Sequence, residues 1–129
     1  MPLVRIDVNK DTPPERIRAV SAAVYNAMIK VANVPLHDRF QVVTRHELDE
    51  IIYPEEGYLG IDYTRDIIII QVTWVGGRST AVKKEFYRSI ADELYEKQAV
   101  RKQDVWISLV DSGREDWSFG NGEMQYAPK

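Results

Sequence analysis

The chain opens MPLVRIDV, and the proline at position 2 stands directly ahead of a segment that alternates like a β-strand. Inside a strand proline is a liability, because it has no N–H to give to the ladder, but at the first residue it is tolerated. Pro2 therefore has two readings. It is a strand opener, or, once an aminopeptidase removes Met1, it is a mature N-terminus carrying a secondary amine. Such an amine is a base that no other residue supplies. An α-amino group starts near ~7.7–8.0, and a general acid–base works best with a pKa close to the working pH. A partly desolvated pocket with a cation nearby would push the value lower, and Arg78 can supply that cation.

Arg78 stands in VGGRST, just before Ser79, which reads as a helix N-cap. It is a solvated residue or a carboxylate seat, since an arginine fork beside a helix N-terminus offers paired hydrogen bonds and unpaired N–H groups. Asp38 closes the turn NVPLHD before a strand, and Asp104 holds the matching place in QAVRKQD. Turn geometry alone accounts for an aspartate there. Trp117 and Phe119 are tail residues that close the core or a subunit interface, whereas Trp106, on VWISLV, reads as core packing. His37 and His46 lie nine residues apart with no third ligand at useful spacing, so no metal site is expected. GGRST is not a phosphate loop, and the chain has no cysteine to act as a thiol nucleophile or thiolate ligand. No cofactor is expected.

Two copies of one unit position these residues. LVRIDV, at 3–8, alternates apolar and polar as a half-buried strand does. A helix follows over TPPERIRAVSAAVYNAMIKV, with Thr12 and Glu15 at capping-box spacing and Ile17, Val20, Val24, Met28 (or Ala27) and Val31 as its apolar stripe. RFQVVTRH is the second strand. DIIIIQVTW, STAVKKEFYRSIADELYEK and VWISLV repeat the order, with Val82, Phe86, Ile90 and Leu94 as the second stripe. Residues 12–38 and 78–104 superpose without gaps at a displacement of 66, which pairs Val20 with Phe86, Val24 with Ile90, Met28 with Leu94 and Asp38 with Asp104. The expectation is one α+β domain over 1–129: a βαβ unit over 2–45, a connecting segment over 46–66, a second βαβ unit over 67–110 and a tail over 111–129. Right-handed crossovers place both helices on one face of a four-stranded sheet. Ile67 to Ile70 are apolar on both faces, so the bare face is expected to meet other subunits in a closed homo-oligomer. The segment 46–66, with Tyr53, Tyr58 and Tyr63, is a cover over the site's mouth or an intersubunit arm.

With 129 residues, 44% hydrophobic and 29% charged, the chain can bury a real core without staples. A net charge of −3 with scattered Lys and Arg argues against nucleic acid as a partner. No apolar run approaches ~18 residues, so no membrane span is expected, and the cytoplasm is the default compartment.

A proline at the start of a tandem βαβ chain resembles the tautomerase superfamily. Val34-Pro35-x-x-Asp38-Arg39-Phe40-Gln41, Arg78-Ser79 with Phe86-Tyr87, and Asp116-Trp117-Ser118-Phe119-Gly120 resemble one branch, malonate semialdehyde decarboxylase and its relatives. The resemblance implies that Pro2 is the catalytic group, that Asp38 orients or activates water beside it, and that Trp117 and Phe119 wall the pocket. It also implies a homotrimer and a small carboxylate-bearing oxo acid as substrate, bound by Arg78. The activity implied is cofactor-independent tautomerisation, with decarboxylation of a β-oxo acid or hydration of an unsaturated acid as alternatives. A catalytically silent trimer that binds ligands is the reading from another class. The branch pattern has a second arginine two positions before Arg78, and Gly76 stands there, which weakens the case for decarboxylation.

Overall fold

The computed structural model describes residues 2–127. The removal of Met1 and the last two residues of the tail therefore lie outside the described residues. Six main elements run in the order β1 (Pro2–Asn9), α1 (Pro14–Lys30), β2 (Phe40–His46), β3 (Ile68–Val75), α2 (Thr80–Gln98) and β4 (Val105–Ser112). The sheet order is β2-β1-β3-β4. β1 is parallel to β2, β3 is parallel to β4, and the two units join through the antiparallel pair β1–β3. Both helices pack on one face, over Val4, Ile6 and Val8 of β1 and Ile68, Ile70, Val72 and Trp74 of β3. Val24 and Met28 of α1 and Phe86, Ile90 and Leu94 of α2 meet them as the helical periodicity predicts.

The repeat extends to the geometry of the helix ends. Asn33 and Ala99 occupy matching positions and both adopt left-handed backbone, with φ of 57° and 51°. Behind each, the next valine closes the same bond: Val34 N–H donates to Met28 O at 2.9 Å and Val100 N–H to Leu94 O at 3.3 Å. These are C-terminal helix locks, which satisfy carbonyls the last turn leaves open.

Two expectations are corrected. Thr12 does not cap α1. The helix starts at Pro14 with Pro13 as its N-cap, so Thr12 stands one residue too early. Its hydroxyl donates to Asn9 O at 2.8 Å instead. Two consecutive prolines bring no N–H of their own, so fewer donors at that end need a side-chain cap. Ser79 does cap α2, accepting from the Val82 N–H at 3.2 Å. Trp106 is not core: it pairs with Ile69 on the sheet face away from the helices and is 45% exposed. The strand's inward positions are Val105, Ile107 and Leu109, and with a period of two a neighbour of Val105 must face outward. Trp74 is instead the large indole of the core.

The bare sheet face is present, but its exposed apolar groups come mainly from the outer strands. Phe40 is 53% exposed, and Val42, Trp106 and Val110 are also open. Ile67 is buried and Ile69 half-buried, beside a cavity that Tyr53, Pro54 and Tyr63 of the connecting segment help to line. That segment thus packs where β3 begins, whereas Pro2 pairs with Trp74 where β3 ends. It does not cover the Pro2 end of its own chain. Among the described residues, no helix is long and apolar enough to cross a membrane.

Candidate active site

Antiparallel pairing carries the start of β1 to the end of β3, opposite Trp74, and the parallel pairs bring the start of β2 and the end of β4 to the same edge. Pro2, Phe40, Ser112 and the tail thus converge although they span most of the sequence. Pro2 is buried. A cavity of about 530 Å³ opens beside it, and the side chains around it include Leu3, Phe40, Thr73, Trp117 and Phe119. The structure therefore brings three of the five expected site residues, Pro2, Trp117 and Phe119, to one cavity.

The tail reaches that place because local bonds fold it back. After β4 a single 3-10 turn runs over Arg114–Asp116, in which the Asp116 carboxylate accepts the Gly113 N–H at 2.6 Å. Trp117 Nε1 then donates to Ser112 Oγ at 2.9 Å, and that hydroxyl donates to Trp74 O at 2.8 Å. The indole is thereby tied to the end of β3. Phe119 stacks on Trp117 with centroids 5.6 Å apart and planes 17° apart, and Tyr126 meets Phe119 edge-on at 5.0 Å. Gln125 closes the intervening loop, accepting from Phe119 N–H and donating to Gly120 O, both at 2.9 Å. Offset and edge-on ring pairs of this kind add roughly 0.5–1.5 kcal/mol each beyond burial. The wall is a built surface.

Asp38 is 8% exposed and sits in the turn before β2. Its charge reaches the Tyr126 phenol, whose pKa is raised first by burial and then by Asp38, with Arg114 acting in the opposite sense. Asp38 is thus near the aromatic wall. Asp104, its partner in the repeat, is fully engaged in the turn, accepting from Thr64 N–H at 2.8 Å, Thr64 Oγ1 at 2.6 Å and Arg101 Nη1 at 3.2 Å.

Arg78 comes to the same edge but does not line the cavity. Its guanidinium lies 4.1 Å over the Trp74 ring, Nε donates to Ala32 O at 3.2 Å, and Nη1 donates to Val75 O at 2.9 Å. Burial lowers its pKa and the Asp111 carboxylate acts in the opposite direction. Such a group stays charged in a protein. His46 Nε2 is 2.6 Å from Asp7 Oδ1, and among the described residues no group of three or more His, Asp or Glu side chains could hold a metal ion.

Sequence reasoning missed Trp74, Asp111 and Tyr126. Asp111 left a legible signal: it continues the inward series Val105, Ile107, Leu109, so a carboxylate stands where a core residue is due. Tyr126 left none, since a tail residue carries no periodicity.

Comparison with known proteins bears on this arrangement. Two models described as "Tautomerase enzyme" match the chain, one over residues 38–120 and the other over residues 2–56. The chain is 38% identical over 125 residues to Probable tautomerase YusQ of Bacillus subtilis (strain 168), covering 97% of this chain and 98% of that protein. It resembles the crystal structure of FG41 malonate semialdehyde decarboxylase inhibited by 3-bromopropiolate, with a TM-score of 0.87 and 35% identity over 96% of this chain and 93% of that one. A second malonate semialdehyde decarboxylase, studied for its decarboxylase and hydratase activities, gives a TM-score of 0.86 and 27% identity over 96% and 95%.

Proposed function

Starting from a chain that belongs to the tautomerase family, we propose an enzyme that moves a proton on a small oxo acid through the N-terminal amine of Pro2. The observation that carries this reading is the cavity in which Pro2 meets the Trp117–Phe119 wall. With Met1 removed, the neutral amine takes a proton from the carbon beside the substrate carbonyl and becomes an ammonium, leaving an enolate. Returning that proton to the oxygen yields the enol, and the reverse order yields the keto acid. The aromatic wall keeps water out, which disfavours the ammonium and pulls the amine toward neutral pH. Arg78 stands at the same edge, outside the cavity lining, and takes the substrate carboxylate through Nη2, the guanidinium nitrogen that neither carbonyl bond uses. Asp38 orients a water or a substrate hydroxyl. No cofactor enters these steps.

The crystal-structure relatives make decarboxylation of malonate semialdehyde the second reading. What weighs against it as the main activity is position 76. Gly76 brings no cation where the branch pattern has one, and the side chain beside that position is the anionic one of Asp111, whose Cβ is 3.2 Å from a Cβ placed there. Losing one preorganised donor costs about 10²–10³-fold at well-studied oxyanion sites. Tautomerisation asks only for a seated carboxylate and a mobile proton.

The open sheet face, with Phe40, Val42, Trp106 and Val110 exposed, supports a homotrimer that buries it. Light scattering should give three chains per particle, and a stable monomer at micromolar concentration would remove the assembly. For the chemistry, protein made without an N-terminal tag is tested on phenylenolpyruvate and on malonate semialdehyde by ultraviolet absorbance. Ketonisation at a higher kcat/KM than decarboxylation supports the reading. Decarboxylation as the faster reaction reverses the order, and neither reaction from protein shown by intact mass to lack Met1 leaves a binding protein.

A further inference from the structure

Asp111 is a carboxylate at the end of an inward-facing apolar series, and both its oxygens are used. Oδ1 accepts from Trp74 Nε1 at 2.9 Å and Oδ2 accepts from Lys83 Nζ at 3.1 Å. Trp74 is fully buried and packs on Phe86 with centroids 5.1 Å apart. Phe86 thus supports the indole, and the bond to Asp111 sets its rotation. Arg78 rests on that indole at 4.1 Å. Its Nε and Nη1 donate to the backbone carbonyls of Ala32 and Val75, the Asp111 charge acts on the guanidinium, and the indole supports its face. Gly76 belongs to the same arrangement, because a Cβ there would stand 3.2 and 3.3 Å from Asp111 Cβ and Cγ, so the Asp111 side chain would have to give by a few tenths of an ångström.

We propose that Asp111 is a positioning residue for Arg78: it locks the Trp74 indole, and the indole face holds the guanidinium where it takes the substrate carboxylate. This rests on the reading of Arg78 as the carboxylate seat. A purely structural Asp111 would affect how firmly the chain folds and leave the bound carboxylate alone. A positioning Asp111 would act on substrate affinity, because the proton transfer belongs to Pro2 and the grip belongs to Arg78. The lost interaction is one made equally in the ground state and the transition state, so KM should rise with kcat little changed.

The test is steady-state kinetics on phenylenolpyruvate for Asp111→Ala, Asp111→Asn, Trp74→Phe and Arg78→Ala, each checked for trimer mass and circular dichroism. Asp111→Ala should raise KM about five- to tenfold with kcat within about threefold. Asp111→Asn keeps an oxygen acceptor for the indole N–H and should recover most of that loss. Trp74→Phe keeps a ring but not its N–H, and should raise KM by a similar factor. Adding Asp111→Ala to it should then change KM little, because the two act as one unit. If Asp111→Ala does not fold, Asp111→Asn and Trp74→Phe decide the matter: KM rising in the second and not in the first supports the role. An unchanged KM in both Asp111→Ala and Trp74→Phe, with Arg78→Ala raising it, overturns the role of Asp111 and leaves the carboxylate seat standing. An unchanged KM in Arg78→Ala overturns the seat and this inference with it.

Discussion

Replacing Pro2 with alanine separates chemistry from folding by magnitude. The substitution removes two ring methylenes from a buried position, and at about 0.8 kcal/mol per methylene it costs roughly 1.6 kcal/mol of stability. A chain of 129 residues has roughly 6–19 kcal/mol in hand. Even at the lower end, the unfolded fraction stays below about one part in a thousand. Unfolding therefore cannot lower the measured rate. A general acid–base group contributes ~10²–10⁴-fold, which corresponds to about 2.7–5.4 kcal/mol on the barrier. Alanine is also small enough for Met1 to be removed, so processing stays matched, and the variant retains a primary amine in place of the secondary one. The assay is the initial rate of phenylenolpyruvate ketonisation for both proteins, with intact mass showing the loss of one methionine in each. A kcat reduced by two or more orders of magnitude, with a denaturation midpoint only slightly lower, is the expected result. A kcat within about threefold of the parent would refute the proton-transfer role, because a general acid–base group contributes at least about a hundredfold.

Trp117→Ala removes the ring that stacks on Phe119 and the bond to Ser112. Wetting the cavity should then move the acid limb of the pH–rate profile upward, toward the ordinary α-amino range of ~7.7–8.0, and an unshifted limb would show that the wall does not tune the amine. Ala99 holds φ of 51° at a helix end, a conformation that costs a residue with a Cβ roughly 1 kcal/mol. Ala99→Gly should therefore raise the urea midpoint, and a fall would contradict the strain argument. The Asp111 carboxyl is held below its usual range, first by the Lys83 hydrogen bond and then by that of Trp74. A depressed carboxyl stabilises the fold above its unfolded value of 3.8, and that contribution fades as pH falls through the lower folded value. The stability gap between the parent and Asp111→Asn should thus be present at neutral pH and shrink in acid. Since the side chain is 45% exposed, the gap should be no more than about 1 kcal/mol. A gap that widens in acid would reverse the sign of the argument.

Much of this molecule is local and so can be read along the chain. Alternation in LVRIDV, the stripe Val20–Val24–Met28 against Phe86–Ile90–Leu94, and the 66-residue displacement follow from side-chain period. The displacement is accurate enough to match two left-handed residues, Asn33 and Ala99. Local reading failed where two local signals competed, as at Thr12, whose capping spacing lost to the two prolines after it. It also failed for the tryptophans. Alternation says which residues share a face but not which face the helices cover, and DIIIIQVTW is apolar on both. The pairing of Ile69 with Trp106 turned one indole outward, while the face of Trp74 received the helices.

The meeting of Pro2 with Trp117 and Phe119 was decided by tertiary structure alone. More than a hundred residues separate them in the chain, and no periodicity spans that distance. The antiparallel pair β1–β3 sets the start of one unit against the end of the other, and the bonds at Ser112 and Gln125 turn the tail back over that edge. The same pairing left Arg78 on Trp74 and outside the cavity lining, because Trp74 points to the helix side, where Asp111 waits on the next strand. A sequence names the side chains able to do the chemistry. Which of them share a space depends on strand register, because a shift of one residue would turn a strand's side chains to the opposite face.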